Sequence, residues 1–353
     1  MKLRILTGRK PRRRSSGDRN KNPWQATIHA SSIATALISG LFVMSNDLLP
    51  RESLTVRVGC RFVYQATQPA PLLLNLKPRR DPRQALQAEE LVLGVNLPAE
   101  EFEDVHGNIV YRLILQPGSH VIRHDAIVAV APDVDNRNFG PGIAASPASL
   151  PPEILRYTLP SRYCDSDKLL NFAWQHFGLI ERGQPQVQAI CDWLHLNIEY
   201  RFGSGSPELS AWDVLQRGYG VCRDFAHLTV ALCRALNIPA RYVVGHLPDI
   251  GYVDPGSPMD FHAYSEVYLS GRWYTYDARF NVPRIGRVKV SCGWDAVDGA
   301  FATVYGAAQL TAFEVWAYQI ESGTVAVGDP IDLSKRLDGT VEVKGLMTQR
   351  GAA

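Results

Sequence analysis

The stretch over residues 218–227 places a cysteine where it could act as a nucleophile. It reads Gly-Tyr-Gly-Val-Cys-Arg-Asp-Phe-Ala-His, and Cys222 is the first residue of a predicted amphipathic helix over 222–236. A helix N-terminus carries about half a positive charge and N–H groups without intrahelical partners. We therefore expect the thiol to ionise more easily there, and the same N–H groups could stabilise an oxyanion.

Two further residues with matching chemistry follow on predicted strands. His262 opens a strand over 262–269, Asp277 ends a strand over 273–277, and Ser270-Gly271 predicts a hairpin between them. Because neighbouring strands lie about 4.8 Å apart, the start of one strand and the end of its antiparallel partner meet at one rim of the sheet. His262 could take the thiol proton and pass it to a leaving amine, while Asp277 orients the imidazole.

These motifs resemble those of the transglutaminase-like superfamily, and more specifically the bacterial transglutaminase-like proteins that are described as predicted cysteine proteases. The resemblance rests on the runs GVCRDFAH from Gly220, IPARYV from Ile238, HAYSEVYL from His262, WYTYDA from Trp273 and NVPRIGR from Asn281. It extends over roughly residues 53–320 and is most specific over 210–287. It implies a papain-like fold with a Cys222–His262–Asp277 triad.

The chain departs mildly from the family pattern at two positions. Tyr264 stands where many members have Trp, and Arg279 stands where Thr is frequent. Neither change removes a catalytic group. No side chain is identified as completing the oxyanion hole. The candidates for oxyanion or substrate contacts, chosen by proximity in sequence, are Tyr219, Gly220, Trp212 and Tyr264.

Other polar residues near these motifs are interpreted as structural. His227 is expected to be a hydrogen-bonding core histidine, and His246 an ordinary loop histidine after a strand. Asp224 is expected to cap or pair within the first helical turn. Glu266 is expected to form an ion pair, with Arg241 as the partner.

The fold class predicted from the hydrophobic periodicity is α+β. Five short strand candidates, at 53–66, 71–76, 91–95, 109–115 and 121–130, predict an N-terminal antiparallel β-sandwich. Helical spacing then gives way to strands, which predicts a papain-like, transglutaminase-like domain of helices plus an antiparallel sheet. The predicted division is a basic tail at 1–50, a β domain at 51–132, a Pro-rich linker at 133–160, a catalytic domain at 161–331 and a loose tail at 332–353.

The charge of the chain is divided unevenly. Residues 1–21 hold nine Lys or Arg and one Asp, so this segment carries +8, whereas the rest, with 28 basic and 34 acidic residues, carries −6. The favoured interpretation is that translation starts at Met44 and that 1–43 is an over-extended reading frame; a disordered tail and a targeting segment are the alternatives. The basic tail carries no nucleic-acid motif, so neither a nucleic-acid nor a membrane partner is expected.

The composition, 353 residues with 46% hydrophobic and 20% charged, excludes a disordered chain and a small disulfide scaffold. The six scattered cysteines favour a reducing compartment, the cytoplasm, with secretion as a weaker alternative. No cofactor, metal site or calcium loop is expected.

The predicted function is hydrolysis of a peptide or protein amide by a thiol enzyme. Acyl transfer from glutamine to an amine, and a non-catalytic binding protein with the same fold, are the alternatives.

Overall fold

The structure is a computed structural model that describes residues 53–94, 97–136, 140–252 and 258–338, all of which belong to one compact unit. The predicted basic tail at 1–50, the start at Met44 and most of the predicted loose C-terminal tail lie outside the described residues. Within the described part of the chain, no helix combines the length and the apolar character needed to cross a membrane.

Six strands open the described chain. They are β1 (Leu54–Ala66), β2 (Ala70–Leu74), β3 (Gln84–Val92), β4 (Glu100–Glu103), β5 (Ile109–Leu115) and β6 (Gly118–Val130). They form most of two antiparallel sheets whose apolar faces pack together through Phe62, Leu72 and Leu113. A sandwich is therefore present, as the alternation of apolar residues predicts.

Two details of the sandwich differ from the prediction. The strand expected at 91–95 is β3, which ends at Val92, and the short β4 was not foreseen. Both strands are polar and largely exposed, because each lies at the edge of its sheet. Edge strands lack the apolar alternation by which a half-buried strand is recognised.

The C-terminal part of the chain completes both sheets of the sandwich. Strand β13 (Ala302–Val304) pairs with β2, and β14 (Ala308–Ile320) pairs with β1 along almost its whole length. The sheet orders are β14-β1-β6-β3 and β13-β2-β5-β4. Two strands from the segment assigned to the predicted catalytic domain thus belong to the N-terminal sandwich. The predicted domain boundaries stay a prediction.

Helices fill the middle of the chain. They are α1 (Pro152–Leu155), α2 (Leu170–Phe177), α3 (Gln184–Asn197), α4 (Ala211–Arg217), α5 (Cys222–Ala235) and α6 (Ala296–Gly299), with one-turn 3-10 helices at Pro147–Ser149, Arg156–Thr158 and Leu333–Lys335. The one-turn α1 lies in the segment that was predicted to be a Pro-rich linker. It forms there because proline is tolerated at the first helical position.

A third four-stranded sheet packs against α5. Its strands β9 (Ala240–His246), β10 (His262–Leu269), β11 (Arg272–Tyr276) and β12 (Val288–Gly293) pair antiparallel in the order β11-β10-β9-β12. A short parallel pair, β7 (Glu199–Tyr200) with β8 (Tyr219–Gly220), leads the chain into α5. The structure confirms the α+β class and the helices-then-sheet order.

The sandwich and the third sheet share a continuous hydrophobic core. Phe62 of β1 belongs to the same buried cluster as Tyr242, Val244 and Phe261, and Val58 packs in another cluster with Val288. Polar contacts add to this interface. Nζ of Lys289 in β12 lies 2.5 Å from Oδ2 of Asp81 and 2.5 Å from Oε1 of Glu266. The position of β9 and β10 is therefore fixed from both sides, by α5 and by the sandwich.

Candidate active site

Helix α5 begins at Cys222, as the sequence predicts. Its N-terminus is fixed by Asp224, whose Oδ2 accepts hydrogen bonds from the backbone N–H of Val221 at 3.0 Å and from Arg217 Nη2 at 2.9 Å. Gly220 is required by close packing, since a Cβ there would lie 2.7 Å from the Cβ of Asp224. The predicted local role of Asp224 is confirmed by these contacts.

The Cys222 thiol is half-buried at the wall of a cavity of 740 Å³. Its Sγ lies 3.9 Å from the carbonyl oxygen of Phe261. Burial raises the pKa of Cys222 to about 11, and a hydrogen bond from the backbone N–H of Ala263 opposes this rise. A raised pKa is opposite to the lowered pKa that was expected at a helix N-terminus, because burial of the thiol outweighs the effect of the helix. The resting thiol is therefore neutral.

His262 and Asp277 meet at the rim of the third sheet. His262 is the first residue of β10, and Asp277 follows the last residue of β11. Nε2 of His262 lies 2.7 Å from Oδ2 of Asp277, and both side chains are buried. Burial lowers the pKa of His262, with Asp277 acting in the opposite direction, so the resting imidazole is neutral as well. Among the described residues, Nδ1 of His262 makes no hydrogen bond, and His262 and Cys222 line the same cavity.

A buried arginine, to which no role was assigned from the sequence, contacts the carboxylate of Asp277. Arg287 Nη2 donates to the same oxygen of Asp277 at 2.8 Å, and its Nε donates to Oδ2 of Asp135 at 2.8 Å. His262 and Arg287 both hold the pKa of Asp277 far below its usual value, against the effect of burial. The signal was present in the run NVPRIGR, but only its resemblance to the family, and no role for its last residue, could be stated.

The four oxyanion candidates do not line the cavity. Trp212 packs beside the helical core, and the guanidinium groups of Arg201 and Arg217 lie over the ring of Tyr219. The carbonyl oxygen of Gly220 accepts a hydrogen bond from the backbone of Arg201.

Tyr264 is buried beside His262, with the two rings nearly parallel and their centroids 6.3 Å apart. The guanidinium carbon of Arg287 lies over the ring of Tyr264, 4.5 Å from its centroid. Tyr264 is thus placed to support the His262–Arg287 arrangement. None of the four is a wall of the cavity, whereas Tyr242, which the sequence analysis did not single out, is one.

Asp260 is a second cavity residue without a sequence-based prediction. It lies two residues before His262, and burial raises its pKa to about 6, with Arg279 acting in the opposite direction. Its negative charge raises the pKa of Cys222. A carboxyl group that titrates close to neutral pH therefore lies near the thiol.

The structure tests the roles that were expected for three other polar residues, His227, Glu266 and His246. Nε2 of His227 accepts a hydrogen bond from the backbone of Ala296, which confirms a structural role. The ion pair between Glu266 and Arg241 is confirmed at 2.6 Å. The interpretation of His246 as a loop residue is wrong: it is the buried last residue of β9, because β9 continues to pair with β12 there.

Metal ligation has no support in the described part of the chain, where no three His, Cys, Asp or Glu side chains are grouped in a way that could hold an ion. The chemistry available in the cavity is that of a thiol, an imidazole fixed by a carboxylate and an arginine, and a titratable carboxyl group. This combination suits nucleophilic attack with proton transfer.

Comparison with known proteins shows similarity to one superfamily. A model of the transglutaminase-like superfamily matches residues 179–278. A crystal structure of a proposed cysteine protease from Cytophaga hutchinsonii is 34% identical, superposes with a TM-score of 0.70, and covers 78% of this chain and 93% of its own.

Two curated relatives match a smaller part of the chain. An uncharacterized protein from Mycobacterium leprae is 32% identical over 117 residues, which is 32% of this chain and 42% of the relative. One from Mycobacterium tuberculosis is 32% identical over 186 residues, which is 49% of this chain and 58% of the relative. The chain spans about half the length of the curated relatives it matches.

Proposed function

Since this chain belongs to the transglutaminase-like superfamily, we propose that it is a cysteine enzyme that acts on peptide or protein amides through an acyl-enzyme at Cys222. The observation that carries the proposal is that Cys222 and His262 line one cavity while Nε2 of His262 is held by Asp277 at 2.7 Å. That bond leaves Nδ1 to receive the thiol proton. We assign the roles of nucleophile, base and orienting acid to Cys222, His262 and Asp277.

The acylation step starts from a neutral thiol and a neutral imidazole. Sγ of Cys222 forms a bond to the amide carbonyl carbon as its proton passes to Nδ1 of His262. The proton then passes to the amide nitrogen, the C–N bond breaks, and the amine leaves. Asp277 stabilises the transient imidazolium, and Arg287 keeps Asp277 ionised throughout.

The acyl-enzyme is then resolved by water or by an amine. In both routes His262 takes a proton from the incoming nucleophile and returns it to Sγ as the thioester breaks. We favour hydrolysis, because water needs no dedicated acceptor site. Acyl transfer to an amine uses the same intermediate, so the triad is compatible with either product.

A small activated ester tests this function without assuming a peptide sequence. The full chain is mixed with p-nitrophenyl acetate, and the released nitrophenolate and the mass of the protein are followed. We expect a burst of nitrophenolate and one acetyl group on Cys222, both absent in Cys222→Ala. Acetylation no faster than that of a free peptide thiol would contradict the proposal and favour a non-catalytic binding protein. Addition of glycine ethyl ester separates the routes, since transfer yields its N-acetyl derivative and hydrolysis yields acetate.

We propose the cytoplasm as the location of the enzyme. The support is the pattern of six cysteines without paired spacing, which fits a reducing compartment. Cell fractionation with an antibody against the chain tests this, and recovery of the protein outside the cytoplasmic fraction would contradict it.

A further inference from the structure

Strand β14 is an edge strand that borders the cavity of Cys222. Among the described strands it pairs with β1 and with no other. Five consecutive residues of β14, Glu314 to Tyr318, line the cavity. The side chains of Trp316 and Tyr318 face one side of the sheet, towards Asp125 and Arg57, whereas those of Val315 and Ala317 pack on the other. Residues from both faces can line one cavity only if the edge of the strand forms its wall.

The direction of the backbone groups on this edge follows from Gln319. Its N–H donates to Oδ1 of Asp338 at 2.5 Å, and its C=O accepts from the N–H of Leu337 at 2.9 Å. Both groups therefore point away from β1. In an antiparallel strand, the N–H and C=O of one residue point towards one edge, and those of the next residue point towards the other edge. Residues two apart therefore present their backbone groups to the same edge. Val315 and Ala317 consequently present theirs to the open edge.

These groups have no partner in the described part of the chain. No hydrogen bond joins the outward N–H or C=O of Val315 or Ala317 to another described residue. Two residues further along, the backbone of Gln319 is already bonded by Leu337 and Asp338. Within the described residues, this edge is thus closed at one end by Leu337 and Asp338 and is open beside the cavity.

We propose that β14 binds the substrate as an added β-strand, so that the enzyme acts on an extended peptide segment of a protein rather than on a single amino-acid amide. This rests on the proposed function. Val315 packs in the same hydrophobic cluster as Cys222 and Phe261, which connects the edge with the nucleophile. Backbone hydrogen bonds to Val315 and Ala317, about 7 Å apart along the strand, require a peptide of several residues. Side chains of the peptide would alternate between the two faces.

The first test uses the peptide and the unaltered enzyme. A peptide that the full chain cleaves is selected from a library of blocked decapeptides, and each backbone N–H is then methylated in turn. Because alternate residues of an added strand bond to the edge, we expect kcat/KM to fall about tenfold at every second position and to change little between them. Effects without a period of two, or equal turnover of single amino-acid amides, would overturn the proposal.

The second test alters the edge. Ala317→Pro removes the N–H that faces the cavity, and proline is tolerated on the open side of an edge strand. The matched control is Ala308→Pro at the start of β14, outside the cavity lining. We expect the ratio of decapeptide turnover to p-nitrophenyl acetate turnover to fall about tenfold in Ala317→Pro and to stay constant in the control. An unchanged ratio in Ala317→Pro would overturn the proposal.

The two proposals fail in different ways. Loss of the proposed function appears as slow acetylation of Cys222 by the ester, which needs no strand site. Loss of the strand site appears as normal acetylation with no alternation in the methylation series. An alternative occupant of the edge, a second copy of this chain, is tested by light scattering. A dimer of the wild-type chain that Ala317→Pro converts to a monomer would assign the edge to self-association and contradict substrate binding.

Discussion

At the scale of the residue, the proposed site consists of four titratable side chains, those of Cys222, His262, Asp277 and Asp260, and the guanidinium of Arg287. The bond between His262 and Asp277 was predicted from the order of residues along the chain. The sequence motif could identify it because a hairpin with a two-residue turn leaves few ways for the two side chains to be placed. Arg287 and Asp260 could not be assigned, since their positions depend on loops that no periodic pattern describes.

We propose that Arg287 is a positioning residue, so its removal is expected to change both the pH dependence and the rate of acetylation. Arg287 lowers the pKa of His262, so Arg287→Met is expected to raise that pKa and shift the acid limb of the pH–rate profile to higher pH. We expect the rate of acetylation at pH 7 to fall about tenfold, as Asp277 loses a partner. The measurement is the acetylation rate between pH 5 and pH 8.

A merely structural role for Arg287 predicts a different pattern. The acid limb would then stay in place while the fraction of folded protein falls. Arg287→Lys keeps the positive charge, so its acid limb is expected to lie close to that of the wild type. The single ammonium cannot bond Asp277 and Asp135 with the geometry of a guanidinium. An acid limb that is the same in all three proteins would contradict the assignment.

Asp260 should make the reactivity of Cys222 depend on pH near neutrality. The pKa of Asp260 is raised to about 6, so its negative charge appears as pH rises through that value and opposes ionisation of the thiol. We expect Asp260→Asn and the wild type to be acetylated at the same rate at pH 5. At pH 7.5 the variant should react about threefold faster. A ratio independent of pH would rule out this effect.

At the scale of the element, we expect the position of Cys222, the proposed nucleophile, to depend on close packing at the N-terminus of α5. Gly220→Ala would place a Cβ 2.7 Å from that of Asp224. We expect a loss of about 1–3 kcal/mol in the free energy of unfolding and slower acetylation of Cys222, measured by urea denaturation and the ester burst. Gly218→Asn is the control, because Gly218 is in open space with φ of +74°, which Asn tolerates. Equal losses in both variants would contradict the packing argument.

The elements show where sequence reasoning succeeds and where it stops. Helix α5 and strand β10 were predicted to within a residue, because their apolar residues recur at helical and strand spacing. Strand β14 lies in the segment that was assigned to the predicted catalytic domain, and its partner β1 lies about 250 residues earlier in the chain. The first half of β14 is exposed on both faces, so nothing in its local pattern identifies the pairing. The open edge that borders the cavity could therefore be seen only in the structure.

At the scale of the whole molecule, the sandwich and the sheet that carries His262 are joined by a buried ionic cluster. Glu266 of β10 contacts Arg241 and Lys289, and Lys289 also contacts Asp81 of the sandwich segment. The cations hold the pKa of Glu266 at about 2, against the effect of burial. This lies below the value of an unfolded chain, so the contribution to stability is complete above pH 4.5 and is lost as pH falls towards 2.

Removal of this carboxylate should change how stability depends on pH. We expect Glu266→Gln to lower the free energy of unfolding by roughly 3 kcal/mol at pH 7, with the difference from the wild type shrinking below pH 4.5. Urea denaturation between pH 3 and pH 7 measures this. The exposed pair of Arg201 and Glu199 gives the matched control, Glu199→Gln, for which a much smaller loss is expected. Equal losses at pH 3 and pH 7 for Glu266→Gln would contradict the account.

The measurement that tests the central claim most directly is the rate at which p-nitrophenyl acetate acetylates Cys222 in the wild type and in His262→Ala at pH 7. Because both groups are neutral at rest, the thiol depends on His262 to accept its proton. We predict that His262→Ala slows acetylation by about 10²-fold or more, while His176→Ala on the exposed side of α2 leaves it unchanged. Acetylation of His262→Ala at the wild-type rate would contradict the account.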